Sequence, residues 1–537
     1  MKRTLDYVRR REGPFVAAVL AAVALFYAAT TLPNIGNHPI AGGDEGWIVS
    51  ASTKLAEEGV FGSDLFAGFF GADRHYYFNL PLHHLVLAGV FEVFGAGLEQ
   101  ARLTSAFFGG ALLLLTYLLG SRTAGRWAGA GAAALLVLLR LNLTPFTGLT
   151  LTDLGATVRY DLVATPFAVG AALVLLRRGG SPGPADAAGA GIVLGLGCLT
   201  QFVAAFFVVP LALFLLTTPA AARRRVLHAA LFAACTALPF VPYFVYAAQD
   251  WEDFRGQART VEQRSDFFSP QFYIDNLVSE ADRYDLALDI DTSMSPAELF
   301  ERPSARLTLL IAGPAALAYA AVRARRGSAP HRLLALVLGC LVLEFALFES
   351  TKRFVYWVIA VPFLCVALAE GGRALLSWRP PSRPMGRAAS IAVLLAALMV
   401  AAEGAAVGIR NVSDARNATV YATVGDAVRE VVPAGSRVVT DNRMWLALPD
   451  LETRSLLLLF YWTNPEISRG ETTDIEGAMG RLNADYLLLS PLTKEILAKL
   501  TPADSERFQR YLTQKGRLVA TVAGPPYGPI EVYRLER

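Results

Sequence analysis

A succession of long apolar runs, separated by short charged loops, extends from the N-terminus to about residue 410. A helix needs roughly 20 mostly apolar residues to cross about 30 Å of hydrocarbon. We place spans at residues 14–33, 103–120, 127–146, 162–176, 188–203, 204–218, 228–248, 306–322, 333–348, 354–371 and 388–408. The charged fraction, 18% of 537 residues, is below that of ordinary soluble domains. The sequence therefore predicts a polytopic α-helical membrane protein with about 11 transmembrane helices.

The basic residues of the short loops predict the orientation of these helices, because cytoplasmic loops are enriched in Lys and Arg. If residues 81–97 lie along the outer membrane surface and do not cross, all the basic clusters fall on the inner face: Lys2, Arg3, Arg9 to Arg11, Arg122, Arg126, Arg177, Arg178, Arg223 to Arg225, Arg323, Arg325, Arg326, Arg332, Arg373, Arg379, Arg383 and Arg387. We therefore predict a multi-pass plasma-membrane protein with a cytoplasmic N-terminus and an extracytoplasmic C-terminus. The same parity requires a break near residues 202–204.

The non-membrane segments predict a two-domain organisation. Residues 1–410 form the transmembrane module, with outer loops at 34–102 and 249–305 that are too long to be mere connectors. Residues 411–537 have the composition of a soluble extracytoplasmic α/β domain. Its predicted strands are 436–440, 455–461, 485–489, 517–523 and 530–535, and its predicted helices include 415–431 and 502–514.

Overall charge and cysteine content exclude other classes. A net charge of +3 is too small to indicate nucleic-acid binding, so the expected surroundings are membrane lipids. The four cysteines all fall inside apolar runs. We therefore expect neither a disulfide framework nor a cysteine-based metal site.

Asp44 and Glu45 follow the first span and open a helical pattern. An acidic pair at the outer mouth of a helix bundle can act as a general base on a hydroxyl or hold a divalent cation. The alternative is a structural role at a helix N-terminus, where acidic residues interact favourably with the dipole.

Two further charged motifs border predicted spans on the same outer face. Arg159 and Asp161, on either side of Tyr160, are costly at a membrane boundary unless they are paired or functional. Lys352 and Arg353 lie in a short outer loop, against the charge rule, which favours binding of an anion such as a lipid phosphate. The alternatives are an interfacial ion pair for the first motif and an anchor with Glu349 for the second.

An aromatic segment leads into residues 81–97. Tyr77 and its neighbours are typical of an interface or a platform for a sugar ring, and His83 and His84 give weak evidence for a metal. Adjacent helical residues point in different directions, so joint binding of one ion by the two histidines is not expected.

Taken together, these motifs resemble the GT-C superfamily of membrane glycosyltransferases, in the branch of the protein O-mannosyltransferases and lipid A aminoarabinose transferases. The similar elements run in order over residues 10–370: Asp44-Glu45, the segment Tyr77 to Leu85 before Phe94-Gly95, Arg102, Arg159-Tyr160-Asp161, and Lys352 to Pro362. Two positions depart from the family pattern, since Asn79 and Gln201 stand where many relatives carry Lys. The Trp-Trp-Asp motif of the oligosaccharyltransferases is not found, which disfavours transfer of whole glycans to asparagine.

The resemblance implies transfer of a sugar from a polyprenyl-phosphate carrier to a hydroxyl of a cell-envelope acceptor, with inversion at the anomeric carbon. Asp44 would be the general base, and the catalytic residues Glu45 and Asp161 would orient or assist it. The substrate-binding residues implied are Arg159, Lys352, Arg353, Tyr77, Asn79, His83 and Tyr356. No cofactor is fixed by these motifs; a divalent cation is the one candidate, and its ligands are unknown.

Two other functions remain open from the residues alone. A transporter or lipid flippase would carry charges at mid-membrane depth and repeated sets of spans, whereas here the charges cluster at one face without a visible repeat. A non-catalytic envelope scaffold would use the outer domain to bind partners. A nucleotide-sugar donor is disfavoured, because no glycine-rich phosphate loop is present.

Overall fold

A computed structural model describes residues 2–141, 150–262, 266–284, 303–378, 382–468, 470–525 and 527–536. Up to residue 262 the α-helices are α1 Lys2–Thr31, α2 Gly43–Glu58, α3 Pro81–Phe94, α4 Leu98–Ala124, α5 Arg126–Leu138, α6 Leu151–Gly155, α7 Tyr160–Leu175, α8 Pro184–Thr200, α9 Val208–Leu216, α10 Ala222–Ala237, α11 Val241–Ala247 and α12 Trp251–Glu262. The later ones are α13 Pro270–Val278, α14 Pro303–Leu307, α15 Gly313–Arg325, α16 Ala329–Phe348, α17 Val361–Leu376, α18 Arg383–Arg416, α19 Ala422–Arg429, α20 Leu457–Thr463, α21 Pro465–Ser468, α22 Ile475–Leu482, α23 Pro491–Leu497 and α24 Pro502–Lys515. The strands described after α18 are β1 Arg437–Thr440, β2 Glu452–Ser455, β3 Tyr486–Leu489, β4 Gly516–Gly524 and β5 Gly528–Leu535.

The helices confirm a polytopic membrane protein. Among the residues that the structure describes, six helical stretches are long and apolar enough to cross a bilayer: Gly13–Thr31, Leu98–Ala124, Ala222–Thr260, Ser304–Arg325, Ala329–Phe348 and Pro384–Arg416. The other predicted spans coincide with shorter helices, among them α5, α7, α8, α9 and α17. Part of the predicted span 127–146 and parts of the second outer loop lie outside the described residues. The sidedness of the helices stays a prediction.

The chain divides into two compact units. The first comprises Met1–Pro33, Ser105–Val241 and Phe267–Asp414, and the second comprises Asn34–Thr104, Pro242–Asp266 and Ala415–Arg537. The second unit thus combines segments of both predicted outer loops with the C-terminal residues. The predicted boundary at residue 410, between a transmembrane module and an extracytoplasmic domain, stays a prediction.

The first unit is a helix bundle in which small residues allow neighbouring helices to pack closely. A Cβ atom on Gly191 would lie 2.4 Å from the carbonyl oxygen of Phe232, and one on Gly195 would lie 2.4 Å from that of Thr236. Glycine therefore lets α8 and α10 approach backbone to backbone, as small residues commonly do between membrane helices. Between α8 and α9 the chain is extended at Gln201 (φ −152°, ψ 129°), which interrupts the apolar stretch close to the predicted break.

The second unit contains a mixed five-stranded sheet in the order β2-β1-β3-β5-β4. Strands β1, β2 and β3 run parallel, and β5 pairs antiparallel with both β3 and β4. Its core joins Leu487 and Leu489 of β3 to aromatic residues of the first outer loop, including Phe66, Phe69 and Phe78. Apolar burial therefore holds the loop and the sheet together.

Two secondary-structure predictions for this region were wrong. Residues 455–461 were expected to form a strand, but the strand is Glu452–Ser455 and the following leucines form α20. A short continuous apolar run does not distinguish helix from strand, and the buried residues Leu458, Leu459 and Trp462 lie on one helical face. The helix expected at 415–431 is present only as Ala422–Arg429, after α18 ends at Arg416.

Candidate functional site

Asp44 and Glu45 lie in the first turn of α2, in the second unit. The carboxylate of Glu45 accepts a hydrogen bond from the backbone nitrogen of Gly42 at 2.8 Å, which begins the helix as a capping interaction does. Asp44 is half-buried, whereas Glu45 is only 3% exposed. Both acids also benefit from the positive end of the helix dipole.

Arg102 of α4 binds both carboxylate oxygens of Glu45. Its Nε donates to Oε1 at 2.8 Å and its Nη2 donates to Oε2 at 2.7 Å, while Nη1 donates to the carbonyl of Ile35 at 2.8 Å. The Arg102 side chain is fully buried. Such a forked pair fixes both position and direction of a carboxylate. Glu45 is therefore a structural anchor for the start of α2, and Asp44 is the more exposed acid of the pair.

Arg159 and Asp161 form a second pair, at the start of α7 in the first unit. Arg159 donates to Oδ2 of Asp161 through Nε at 3.1 Å and Nη2 at 2.5 Å, and Gln201 donates to Oδ1 at 3.1 Å. Asp161 is fully buried, whereas 19% of the Arg159 side chain is exposed. Gln201, where relatives often carry a Lys, thus supports Asp161 as a neutral donor. Asp161 orients the Arg159 guanidinium through these two bonds.

Tyr356, predicted to bind substrate, lies near this pair. It belongs to the 3-10 turn Phe354–Ile359 and is partly exposed. It interacts electrostatically with Asp161, Arg353 and Arg159. Tyr356 is therefore within electrostatic range of two guanidinium groups and of the carboxylates of Asp161 and Glu349. Arginine side chains of this kind are suited to binding phosphate.

Lys352 and Arg353 differ strongly in their surroundings. Lys352 has a positive φ of 48°, and its Nζ donates to Glu280 at 3.0 Å and to the carbonyls of Phe345 and Ala346 at 3.3 and 3.1 Å. Burial lowers the pKa of Lys352, and the bond to Glu280 opposes that change. Arg353 is exposed. The alternative of an anchor with Glu349 did not include Glu280, which pairs with Lys352 at 3.0 Å.

Arg283 connects this loop to the 3-10 turn Ser279–Tyr284. Its side chain is fully buried and pairs with Glu280 at 2.8 Å and with Glu349 at 2.7 Å. It also donates to the carbonyl of Phe345 at 2.9 Å. Arg283 thus pairs with both glutamates and Lys352 pairs with Glu280, so ion pairs of buried cations hold the loop that carries Arg353.

The aromatic segment is packed rather than open. Tyr77 is 4% exposed, and its ring contacts Tyr246 and Phe254 at centroid distances of 5.2 and 5.5 Å. The amide of Asn79 donates to the hydroxyl of Tyr76 at 3.1 Å. His83 is buried in α3, with its ring centroid 6.3 Å from that of His84. Substrate contact by Tyr77, Asn79 and His83 stays a prediction.

A histidine and two aspartates converge in the second unit. Nδ1 of His75 lies 3.0 Å from Oδ2 of Asp250 and 3.6 Å from Oδ2 of Asp253, and one donor atom from each residue lies within 4.8 Å of the others. A Cβ atom at Gly71, whose φ is +60°, would lie 2.0 Å from the Asp253 carboxylate. Glycine therefore leaves the space this cluster occupies. One nitrogen and two carboxylate donors suit zinc.

The sequence did not indicate several of these partners. Arg283 and the cluster of His75, Asp250 and Asp253 were not singled out, and Arg102 was noted only as the residue that opens a span. The spacing of Glu280 and Arg283, three residues apart, is the one local signal that could have suggested an ion pair. The remaining contacts join residues far apart in sequence.

Comparison with known proteins supports the fold. A family described as dolichyl-phosphate-mannose-protein mannosyltransferase matches residues 79–246. No curated protein matches the chain in sequence. Among solved structures, ArnT from Cupriavidus metallidurans bound to undecaprenyl phosphate superposes with a TM-score of 0.61 at 16% identity, over 97% of this chain and 98% of that one.

Archaeal oligosaccharyltransferase structures are similar as well. AglB from Archaeoglobus fulgidus, in complex with an inhibitory peptide and a dolichol-phosphate, gives a TM-score of 0.57 at 15% identity over 96% of this chain and 74% of that one. The Archaeoglobus fulgidus enzyme with Zn and sulfate gives 0.58 at 16% identity over 96% and 73%. At such low identity these likenesses show the fold. Together with the family match, they confirm the predicted resemblance to the GT-C superfamily.

Proposed function

From this GT-C fold, we propose that the chain transfers a sugar from a polyprenyl-phosphate carrier to a hydroxyl of a cell-envelope acceptor, at the outer face of the plasma membrane. The fold is shared over nearly its whole length with a protein crystallised with undecaprenyl phosphate. The family matching residues 79–246 is described as using a dolichyl-phosphate-linked sugar. Both support a lipid-linked donor.

The observation that carries this proposal is the difference in exposure between the two neighbouring acids. Glu45 is bound by Arg102 and by the start of α2, whereas Asp44, its neighbour in the same turn, is half-buried. Asp44 removes the proton from the acceptor hydroxyl, and that oxygen attacks the anomeric carbon. The bond from this carbon to the phosphate oxygen breaks as the new bond forms. The products are the glycosylated acceptor and polyprenyl phosphate, with inversion.

The leaving phosphate needs positive charge, and Arg159 and Arg353 are the cations we propose for it. Arg159 is fixed by Asp161 and still partly exposed, and Arg353 is exposed beside Tyr356. Fixed cations stabilise the charge that grows on the leaving oxygen without reorganising during the reaction. Lys352 acts indirectly, because its bonds to Glu280 and to two carbonyls hold the loop that carries Arg353.

Zinc, or a similar divalent cation, is the cofactor we propose for the cluster of His75, Asp250 and Asp253. The donor set and the space left by Gly71 fit such an ion. A metal there would neutralise the two carboxylates and join the first outer loop to α12. Its role would be structural, since none of these residues is assigned a step in the transfer.

The decisive experiment substitutes Asp44 in a strain that lacks the endogenous gene. Complementation with wild type should restore the envelope glycan that mass spectrometry finds missing in the deletion strain. Asp44→Asn should not restore it, because losing a general base costs about a hundredfold or more in rate. Glu57→Gln, an exposed acid on the same helix, is the control.

The outcomes separate the enzyme from its rivals. A scaffold or a flippase should tolerate Asp44→Asn when the protein reaches the membrane in normal amount. Near-normal glycan with Asp44→Asn would therefore refute the assignment of the base. Loss of glycan with Glu57→Gln as well would show that the assay responds to folding alone.

A further inference from the structure

The carboxyl ends of three parallel strands meet at one edge of the second unit's sheet. Strand β1 ends at Thr440, β2 at Ser455 and β3 at Leu489, and β1 lies between the other two. The chain therefore passes from one side of β1 to the other, and open α/β sheets commonly place functional groups at such a point.

Buried polar groups fill this edge. Asp441, directly after β1, accepts hydrogen bonds from Nε of Arg443 at 2.9 Å, from Ser490 at 3.0 Å and from Thr493 at 3.2 Å. Asn442 accepts a bond from Ser455 at 2.6 Å. The backbone of the turn Asn442–Ala447 is therefore rigidly placed, because several strands hold it at once.

The segment that leads to Asp44 rests on this edge. The backbone nitrogen of Ala41 donates to the hydroxyl of Tyr527 at 3.0 Å. Gly46 packs so closely that a Cβ atom there would lie 1.8 Å from the carbonyl oxygen of Asn442. The first contact lies three residues before Asp44 and the second two residues after it. The chain therefore contacts the sheet edge on both sides of Asp44 in sequence.

Tyr527 is itself held in place. The guanidinium of Arg443 lies 5.0 Å from the centre of its ring, and the ring of Tyr421 packs edge-on at 6.1 Å. Burial raises the pKa of Tyr527 to about 12, so the phenol stays neutral at physiological pH. A neutral, fixed hydroxyl can keep the Ala41 contact constant during turnover.

We propose that Tyr527 and the turn after β1 position Asp44 for catalysis, so that the C-terminal segment is a working part of the active site. Tyr527 is a positioning residue, since it acts through Ala41 and the start of α2. This inference rests on the proposed role of Asp44. Small displacements of a catalytic group reduce rate steeply, and donor binding need not change with them.

The test measures the initial transfer rate in proteoliposomes of the full-length protein. The substrates are the lipid extract and the envelope fraction of the deletion strain, which contain both the donor and the unmodified acceptor. Binding of undecaprenyl phosphate in nanodiscs is the separate readout of the donor site. Tyr533→Phe, whose hydroxyl bonds Glu531 at 3.2 Å in the same strand, is the matched control.

Tyr527→Phe should lower the rate about fivefold to tenfold and leave undecaprenyl phosphate affinity within about twofold of wild type. Gly46→Ala should lower the rate at least as much, because a methyl group there must push α2 off the sheet edge. In an Asp44→Glu background, where the acid is already displaced, Tyr527→Phe should change the remaining rate less than about twofold.

A wild-type rate for Tyr527→Phe, or an equal loss in both backgrounds, would overturn the positioning role. So would a parallel loss of undecaprenyl phosphate binding, which would indicate general unfolding. Failure of the underlying function looks different. In that case Asp44→Asn itself keeps transferring sugar, whatever Tyr527→Phe does.

Discussion

Replacing Arg353 and Lys352 separately should have different effects, although they are neighbours with the same charge. Arg353 is exposed beside Tyr356 and is available to a phosphate. Removing a charge-assisted hydrogen bond costs about 1.5–3 kcal/mol. Because solvent screens an exposed charge, we expect the lower end, about 1.5 kcal/mol or roughly tenfold in Kd for undecaprenyl phosphate.

Lys352→Ala should act on stability instead. Its amine has one charged partner, Glu280, and two carbonyl partners, and 6% of the side chain is exposed. Breaking a buried pair can cost about 3–5 kcal/mol. Since Glu280 keeps its pair with Arg283 at 2.8 Å, we expect the loss to be smaller, about 1–2 kcal/mol.

The assay pairs an undecaprenyl phosphate titration in nanodiscs with a thermal unfolding curve for each variant. Arg353→Ala should weaken binding and leave the unfolding temperature near wild type, and Lys352→Ala should do the reverse. Arg510→Ala, which removes an exposed charge from α24, controls for net charge. If Lys352→Ala weakens binding as much as Arg353→Ala and unfolds at the wild-type temperature, then its amine binds the phosphate and our separation of the two roles is refuted.

Three further predictions concern other parts of the chain. Arg102→Ala should destabilise the protein by about 3–5 kcal/mol in thermal or chemical unfolding, because it leaves the buried Glu45 carboxylate without its cation, and an unchanged curve would contradict the pairing. His75→Ala and Asp253→Asn should each lower the zinc content of purified protein measured by mass spectrometry, whereas the exposed Glu57→Gln should not; equal zinc in all three would exclude this cluster as the site. Cysteines placed at Asp64 and Ser181 should react with an impermeant label from opposite sides of the membrane, and labelling from the same side would contradict a non-crossing segment at 81–97.

Sequence alone determined the class of protein, because the evidence for it is local. An apolar run long enough to cross a bilayer can be recognised from its own residues, without knowledge of any distant partner. The order of the acidic, aromatic and basic motifs was likewise sufficient for the resemblance to the GT-C superfamily, which the family match and the shared fold together support. Four of the five predicted strands coincide with observed ones for the same reason, whereas the continuous leucine run of α20 fits either structure.

Only the tertiary structure decided which charged residues pair with which. Glu45 meets Arg102 from 57 residues away, and Lys352 meets Glu280 from 72 residues away. A lone charge in sequence looks equally suited to a ligand or to a partner, and burial next to the opposite charge resolves the choice. Asp44 and Glu45 are adjacent and chemically alike, yet the helix turn directs one carboxylate to Arg102. Tyr527 and Asn442 of the sheet edge contact the chain on either side of that turn. Their positions depend on strands that follow hundreds of residues later in the sequence.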